Sequence, residues 1–213
     1  SWQAVATLEY AGYNVFAPSN AAIDNFFKTY WTAEGGYTSL DNLDDLILEY
    51  FLLQSFAKEN FIVFPEEIKA GDVLTVYGTP INIDPEQVTD RKICANGILY
   101  GMDKMDAPAI FSSVVGPAFK DKNFLTYLYA LTGSQRMLSL ASRNTDFVTL
   151  MPNNTQFEKA DPAMRLYSTT AGKQLQQYSS DAGDFVEMSS ASMERIVDMH
   201  TAQNIKSLSD NGT

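Results

Sequence analysis

Apolar residues recur at helical spacing in the first half of the chain. Over residues 43–53 they lie three or four positions apart, which places them above one another on one face of an α-helix. Asp41, Asp44 and Asp45 lie near the start of this stretch, where the positive end of the helix dipole favours carboxylates. The pattern predicts an amphipathic core helix. Its apolar face consists of Leu43, Leu46, Ile47, Tyr50 and Leu53.

Helical patterns also occur in the second half of the chain. Residues 123–140 have apolar positions at helical spacing that are interrupted near Gly133, which predicts two short helices. Residues 193–205 predict a further helix. Within it, Ile196 to His200 matches Ile47 to Phe51 at a constant offset of 149 positions (200 − 51). We therefore expect two equivalent helices, each with an isoleucine in the core.

A second pair of matching segments precedes these helices. Residues 14–23 correspond to residues 148–157 at a constant offset of 134 positions (152 − 18). Each segment reads as a short apolar strand, a proline that cannot donate to a sheet, and polar side chains that can cap the next helix. Because the two pairs of segments keep their order, the chain contains an internal repeat in which Pro18 and Pro152 should be equivalent.

Strand-like segments separated by turn residues follow the first predicted helix. They cover residues 61–64, 73–77, 81–83 and 92–102. Their short spacing predicts that they pair with one another.

Four segments resemble the sequence signatures of fasciclin domains. Residues 14–20 are similar to the first signature, in which a strand runs into a proline and then Asn or Asp. Residues 95–104 are similar to the closing strand of the family. The segments 47–51 and 196–200 are similar to the second signature, which commonly ends in Tyr-His. The resemblance implies an α+β fold, a wedge-shaped β-sandwich with helices packed along one edge.

The repeat predicts two copies of this fold, a first fasciclin-like domain at residues 1–110 and a second at residues 111–213. Alignment of the copies predicts that both are truncated. The first lacks counterparts of the N-terminal helices found at residues 112–134, and the second lacks counterparts of residues 65–108, including the closing strand. A sheet that lacks a strand has an open edge, which would permit weak self-association.

The charge distribution limits the classes of partner. The chain of 213 residues has 15 Lys and Arg against 26 Asp and Glu, a net charge of −11, so phosphate backbones and anionic lipids would be repelled over most of the surface. Residues 1–110 carry 16 acidic and 6 basic residues (−10), and residues 111–213 carry 10 and 9 (−1). Nucleic-acid binding is therefore not expected.

The longest apolar run is too short to span a bilayer. It extends from Leu46 to Phe56 and is interrupted by Glu49 and Gln54, whereas a spanning helix needs about 20 apolar residues. We expect no transmembrane segment in this chain.

The chain has few residues of the types that build metal or cofactor sites. Cys94 is the only cysteine and lies between Ile93 and Ala95, which predicts a small buried side chain and excludes an intrachain disulfide. There is one histidine and no His-Glu-x-x-His string, so zinc is not expected. The acidic residues at 41–45 lack the spacing of a calcium loop. No nucleotide-binding string occurs, and we expect no cofactor.

The candidate binding residues come from the second signature. In place of a Tyr-His pair, the chain has Tyr50 and Phe51 in the first copy and Met199 and His200 in the second. Asp198 stands two positions before His200, but side chains two apart on a helix do not face each other, so a Ser-His-Asp site is not expected. We expect His200 to be partly buried and hydrogen-bonded to the backbone.

Two Asn-x-Thr sequons occur, at Asn153 and Asn211. The first overlaps the predicted start of a helix. We interpret Asn153 as a helix cap rather than a glycosylation site.

The resemblance to fasciclin domains implies a non-catalytic adhesion or binding module that recognises proteins or glycans outside the cell or at its surface. Any membrane anchor would lie outside this chain. Two alternatives remain open, a structural spacer in an array of surface domains and an enzyme that acts on cell-surface polymers. Paired carboxylates with shifted pKa values in a pocket would favour the enzyme, and binding assays would separate the spacer from the adhesion module.

Overall fold

A computed structural model of the chain describes residues 12–58, 62–67, 73–76, 78–81, 83–142 and 145–204. Helices and strands are mixed along the sequence, and the strands pair mainly with antiparallel neighbours, so the protein belongs to the α+β class. In these ranges, no helix is long and apolar enough to cross a membrane.

The chain divides into two compact units. Unit 1 consists of residues 1–31 and 39–109, and unit 2 consists of residues 32–38 and 110–213. The sequence analysis assigned residues 32–38 to the first domain, whereas the structure assigns them to unit 2.

Close packing explains why residues 32–38 belong to unit 2. Gly35 lies so near the backbone of Lys120 that a Cβ atom at this position would overlap the Lys120 carbonyl oxygen. Tyr37 is buried, and the ammonium group of Lys122 lies 5.1 Å from the centre of its ring. The cation and the ring attract each other at this distance.

In unit 1, a four-stranded sheet in the order β2-β1-β4-β3 accompanies two α-helices within the described residues. Its elements are β1 (Tyr13–Pro18), α1 (Asn20–Tyr30), α2 (Asp45–Leu53), β2 (Phe56–Lys58), β3 (Val88–Cys94) and β4 (Gly97–Met102). Short 3-10 helices lie at Leu40–Asn42, Pro65–Glu67 and Pro85–Gln87.

Strand β1 lies at the centre of this sheet. It pairs antiparallel with β2 and parallel with β4, and all six of its residues are in register with β4. Phe16 from β1 stacks on Tyr100 from β4 with ring centres 5.2 Å apart, and both rings are buried. The core of unit 1 forms on this face of the sheet, where Val63, Val73 and Ile98 join them.

Side chains from the sheet hold the segment 62–64, which the sequence analysis predicted as a strand and which is irregular in the structure. The buried amide oxygen of Asn14 accepts from the Val63 N–H at 2.8 Å. The Tyr100 hydroxyl donates to the Val63 carbonyl oxygen at 2.6 Å. Both backbone groups of this buried residue are therefore satisfied without a sheet partner.

The strand predicted over residues 92–102 is a hairpin of β3 and β4 that turns at residues 95 and 96. Gly97 begins β4 with φ +158°, and a Cβ atom there would overlap the carbonyl oxygen of Tyr13 in the neighbouring strand. Glycine therefore allows β4 to approach β1 closely.

Cys94 is exposed, so the prediction of a buried side chain was wrong. Strand β3 is at the edge of the sheet, and its residues from 89 onward are exposed. Even Ile93, next to Cys94, has 62% of its surface exposed. The apolar neighbours of Cys94 in sequence do not reveal that the strand is an edge strand.

Unit 2 combines short helices with a two-stranded and a three-stranded sheet, within the described residues. Its α-helices are α3 (Pro117–Lys120), α4 (Leu125–Gly133), α5 (Met137–Leu140), α6 (Asn154–Glu158) and α7 (Ser190–Met199). Its strands are β5 (Phe147–Thr149), β6 (Met164–Thr169), β7 (Gly172–Ser179), β8 (Asp184–Glu187) and β9 (Thr201–Gln203). Helices α4 and α5 confirm the two short helices predicted over residues 123–140.

The strand-to-helix corners predicted from the sequence are present in both units. After β1, the Ser19 hydroxyl accepts from the Ala22 N–H and caps α1. After β5, the Asn153 side chain accepts from the Gln156 N–H at 2.9 Å, and the Gln156 side chain accepts from the Asn153 N–H at 2.8 Å. This capping box confirms the interpretation of Asn153 as a cap. The second sequon lies outside the described residues.

Helices α2 and α7 differ from the predicted ranges at their ends. Helix α2 begins at Asp45, and the side chain of Asp44 caps it by accepting from the Leu46 N–H. Helix α7 begins at Ser190 and ends at Met199, so the prediction of a helix over residues 193–205 was wrong at its C-terminal end, where β9 begins at Thr201. The predicted burial of Ile47 and Ile196 is confirmed.

The offset of 149 positions between these helices was also wrong. Their caps, Asp44 and Ser189, are 145 positions apart (189 − 44). The strands that follow give the same value, because Ala57 pairs with Asn14 in unit 1 and Ala202 pairs with Val148 in unit 2 (202 − 57). A shift of four residues is close to one helical turn, so the apolar pattern matched almost equally well in the shifted alignment.

Candidate functional site

The first pair of candidate residues faces the core of unit 1. Phe51 has 1% of its surface exposed and packs against Phe26 and Trp31, with ring centres 5.5 and 5.3 Å away. Tyr50 is also buried. Phe51 belongs to this aromatic cluster, and both side chains present little surface to a ligand, so the structure does not support the candidate binding role of Tyr50 and Phe51.

The second pair lies where helix α7 ends. Met199 has 75% of its surface exposed. His200 caps the helix and is partly buried, and its Nδ1 lies 2.7 Å from the carbonyl oxygen of Ile196. A carbonyl can only accept, so Nδ1 carries the proton. This contact confirms the prediction of a partly buried histidine hydrogen-bonded to the backbone.

Asp198 does not orient His200. Its carboxylate accepts from the guanidinium group of Arg136 at 2.8 Å, and Glu194 on the same helix face lies 2.9 Å from the same nitrogen. The hydrogen bond to Asp198 is the main reason that the pKa of Arg136 is raised. The structure thus separates the residues that a Ser-His-Asp site would need to bring together.

Three buried hydroxyl groups lie near His200. The ring of Tyr127 meets the imidazole edge to face at 6.3 Å. Burial raises the pKa of Tyr127, while the neighbouring hydroxyl of Thr201 lowers it by a smaller amount. Within the described residues, neither hydroxyl makes a hydrogen bond of normal geometry, and neither does that of Thr149, which pairs with Thr201 across β5 and β9. The carboxylate of Asp198 also raises the pKa of Tyr127, but it forms an ion pair with Arg136.

A more exposed set of side chains lies on the sheet of β6, β7 and β8, which the sequence analysis missed. Residues paired directly across strands share a face, and one face of this sheet combines aromatic, amide and guanidinium groups. We call it the Arg165 face; it consists of Arg165, Tyr167, Gln174, Gln176, Tyr178, Phe185 and Glu187.

Arg165 lies along this face between two aromatic rings. Its guanidinium carbon is 5.0 Å from the ring centre of Tyr167 on β6 and 4.0 Å from that of Phe185 on β8. Its Nε donates to the Gln176 side chain on β7 at 3.0 Å. Cation–π attraction and this hydrogen bond fix the guanidinium group in one orientation.

The outer rings of the Arg165 face are open to solvent. Tyr167 and Tyr178 have 46% and 42% of their surface exposed, and Tyr178 meets Phe185 edge to face at 5.6 Å. The opposite face of the sheet holds Leu175, which is buried. Gln176, in the middle of the Arg165 face, is buried as well, so the part of this face available for contact lies at the exposed rings of Tyr167 and Tyr178.

Within the described ranges, no group of three or more His, Cys, Asp and Glu side chains is placed so that it could hold a metal ion. The acidic stretch at residues 41–45 serves the helix start, since Asp44 accepts from the Leu46 N–H at 3.0 Å.

No model of a protein family matches the chain, and a search of curated proteins found no match.

Proposed function

We propose that the chain is a tandem pair of fasciclin-like domains that acts as a non-catalytic adhesion or binding module outside the cell or at its surface. The observation that carries this proposal is a hydrogen bond that recurs in both units. The Phe16 N–H donates to the Ser55 carbonyl oxygen at 2.8 Å, and the Leu150 N–H donates to the His200 carbonyl oxygen at 2.8 Å.

This hydrogen bond belongs to a longer arrangement that both units share. In each unit a strand runs into a capped helix, and the same strand pairs antiparallel with a strand that follows a second capped helix. Of the segments that resemble the fasciclin signatures, residues 14–20, 47–51 and 196–200 lie in these elements, the last two at positions that differ by four residues. The shared arrangement therefore supports two copies of one fold, and the resemblance links that fold to adhesion.

Binding rather than catalysis is supported by the side chains at the signature. The imidazole of His200 is held by the Ile196 carbonyl oxygen, and the carboxylate of Asp198 is held by Arg136. Meanwhile the exposed tyrosines of the Arg165 face are of the type that dominates protein interfaces. The contacts that hold His200 and Asp198, together with these exposed tyrosines, favour recognition of a protein or glycan.

The proposal is tested by adding the full chain to immobilised matrix proteins and cell-surface glycans. We expect saturable binding to at least one of them, with no release of product from any glycan or protein. Absence of binding across the whole panel would contradict the proposal and favour a structural spacer, and release of product would favour an enzyme.

A further inference from the structure

We propose that the Arg165 face binds an oligosaccharide that carries a single carboxylate among neutral sugars, such as one uronic acid residue in a short chain. The inference rests on the proposed binding function and names the class of ligand and the surface that receives it.

The charge of Arg165 is the first feature that points to an acidic ligand. Within the described residues, Arg91 and Arg136 form ion pairs with carboxylates, but no carboxylate forms one with Arg165. The Nε hydrogen bond to Gln176 leaves the two terminal nitrogens of the guanidinium group as donors. A carboxylate is the group that a guanidinium fork binds with two parallel hydrogen bonds.

Charge is also mixed on this face. Glu187 on β8 pairs with Gln176, which in turn pairs with Arg165 on β6. The guanidinium group of Arg165 reaches across β7 to the ring of Phe185 on β8, so one cation and one anion lie on the same face. A ligand with many carboxylates would be repelled by Glu187, whereas sugar hydroxyls can donate to it. One carboxylate flanked by hydroxyl groups complements both charges.

The remaining side chains of the face suit both the apolar and the polar parts of a sugar ring. The exposed rings of Tyr167 and Tyr178 offer flat apolar surfaces on which the C–H face of a sugar ring can lie. Gln174 lies opposite Tyr167 on the neighbouring strand, and its amide can both donate and accept. Alternation of flat rings and amides suits a ligand that alternates apolar ring faces and hydroxyl groups.

The size of the face favours an oligosaccharide over a protein. Three strands about 4.8 Å apart and up to about 27 Å long offer roughly 300 Å². A stable protein interface needs about 800 Å² on each partner. The face alone falls short of that area, whereas a few sugar rings would fill it.

The test uses nuclear magnetic resonance on the full chain with an aldotetraouronic acid, in which one glucuronic acid is attached to a short xylose chain. We expect amide shifts confined to residues 164–187. Reduction of the ligand's carboxyl group to an alcohol should weaken binding by about tenfold or more, since it removes the charge that Arg165 recognises. Equal affinity for both ligands, or shifts elsewhere on the chain, would overturn the inference.

Variants of the protein distinguish the contribution of the Arg165 charge to binding from that of stacking on Tyr178. Arg165→Gln should weaken binding by about tenfold, and Tyr178→Ala should weaken it while Tyr178→Phe should not. The matched control is Arg195→Gln, because Arg195 is an exposed arginine on α7 in the same unit that contacts Ser192. It should bind as tightly as the natural chain. Spectra of the free variants establish that each retains its fold.

The outcomes distinguish this inference from the proposed function. If the chain binds a member of the wider panel but the aldotetraouronic acid causes no shifts at residues 164–187, the inference fails and the binding function stands. If it binds nothing in the panel and not the acidic oligosaccharide, both fail.

Discussion

Individual buried polar atoms fix the position of the irregular segment 62–64 in unit 1. Val63 lies outside any strand, yet both of its backbone groups have side-chain partners, Asn14 on β1 and Tyr100 on β4. Because all three residues are buried, loss of a partner would leave a donor or acceptor without water to replace it.

We expect Tyr100→Phe to lower the free energy of unfolding of unit 1 by about 1–3 kcal/mol, because the Val63 carbonyl oxygen would lose its buried donor. The control is Tyr13→Phe, which removes the same hydroxyl from an exposed ring in the adjacent strand. Urea denaturation measures both variants. A stability of Tyr100→Phe equal to that of the control would show that the hydrogen bond is not needed.

At the residue scale, local hydrogen bonds could be predicted from the sequence more reliably than the exposure of a side chain. The cap at Asn153 and the backbone contact of His200 could be predicted because they depend on neighbours within four positions. The exposure of Cys94 could not, because it depends on which strand lies at the edge of the sheet. The partners of Arg165 were missed for a similar reason, since they come from three different strands.

The elements themselves follow from local patterns, but their alignment does not. Both strand-to-helix corners were predictable, because a proline and a cap mark them in the sequence. The caps of α2 and α7 depart from the predicted offset by four residues, and a shift of nearly one turn keeps apolar residues on the same face. The pairing of β2 with β1 and of β9 with β5 fixes the alignment that the helix patterns alone leave ambiguous by about one turn.

The sheet of β6, β7 and β8 was missed because its strands are rich in Gln, Ser and Thr and have few buried side chains. The signal that could have revealed it is the placement of turn residues. Gly172 begins β7 and Gly183 directly precedes β8, and both have positive φ. Tyr167, Tyr178 and Phe185 are of types enriched in strands.

Helix α2 offers a prediction at the level of one element. Phe51→Ala should lower the free energy of unfolding by about 3–5 kcal/mol, because it leaves a cavity among the buried rings around Phe26 and Trp31. The neighbouring Leu52 has 48% of its surface exposed, so Leu52→Ala should cost less than about 1 kcal/mol. Thermal unfolding compares the two, and equal losses would contradict the orientation of the helix.

At the scale of the whole molecule, the two units differ strongly in charge. Unit 1 holds 15 of the acidic and 6 of the basic residues, a net charge of −9, and unit 2 holds 11 and 9, a net charge of −2. Repulsion among like charges destabilises a compact state, and salt screens it.

We therefore expect added sodium chloride to stabilise unit 1 more than unit 2, by a difference on the order of 1 kcal/mol. Hydrogen exchange followed by mass spectrometry can report each unit separately within the full chain. Sodium chloride should slow exchange at amides of β1 and β4 more than at amides of α4 and α7. An equal response in both units would show that net charge does not limit the stability of unit 1.

The parallel pairing of β1 with β4 has a consequence during synthesis on the ribosome. Tyr13 pairs with Gly97, so 84 residues separate the two strands in sequence (97 − 13). At about 5–20 residues per second, translation needs roughly 4–17 s to supply the second strand. For that time the nascent chain has an apolar strand whose hydrogen-bonding edge has no partner, which makes this interval the one in which a chaperone would protect it most.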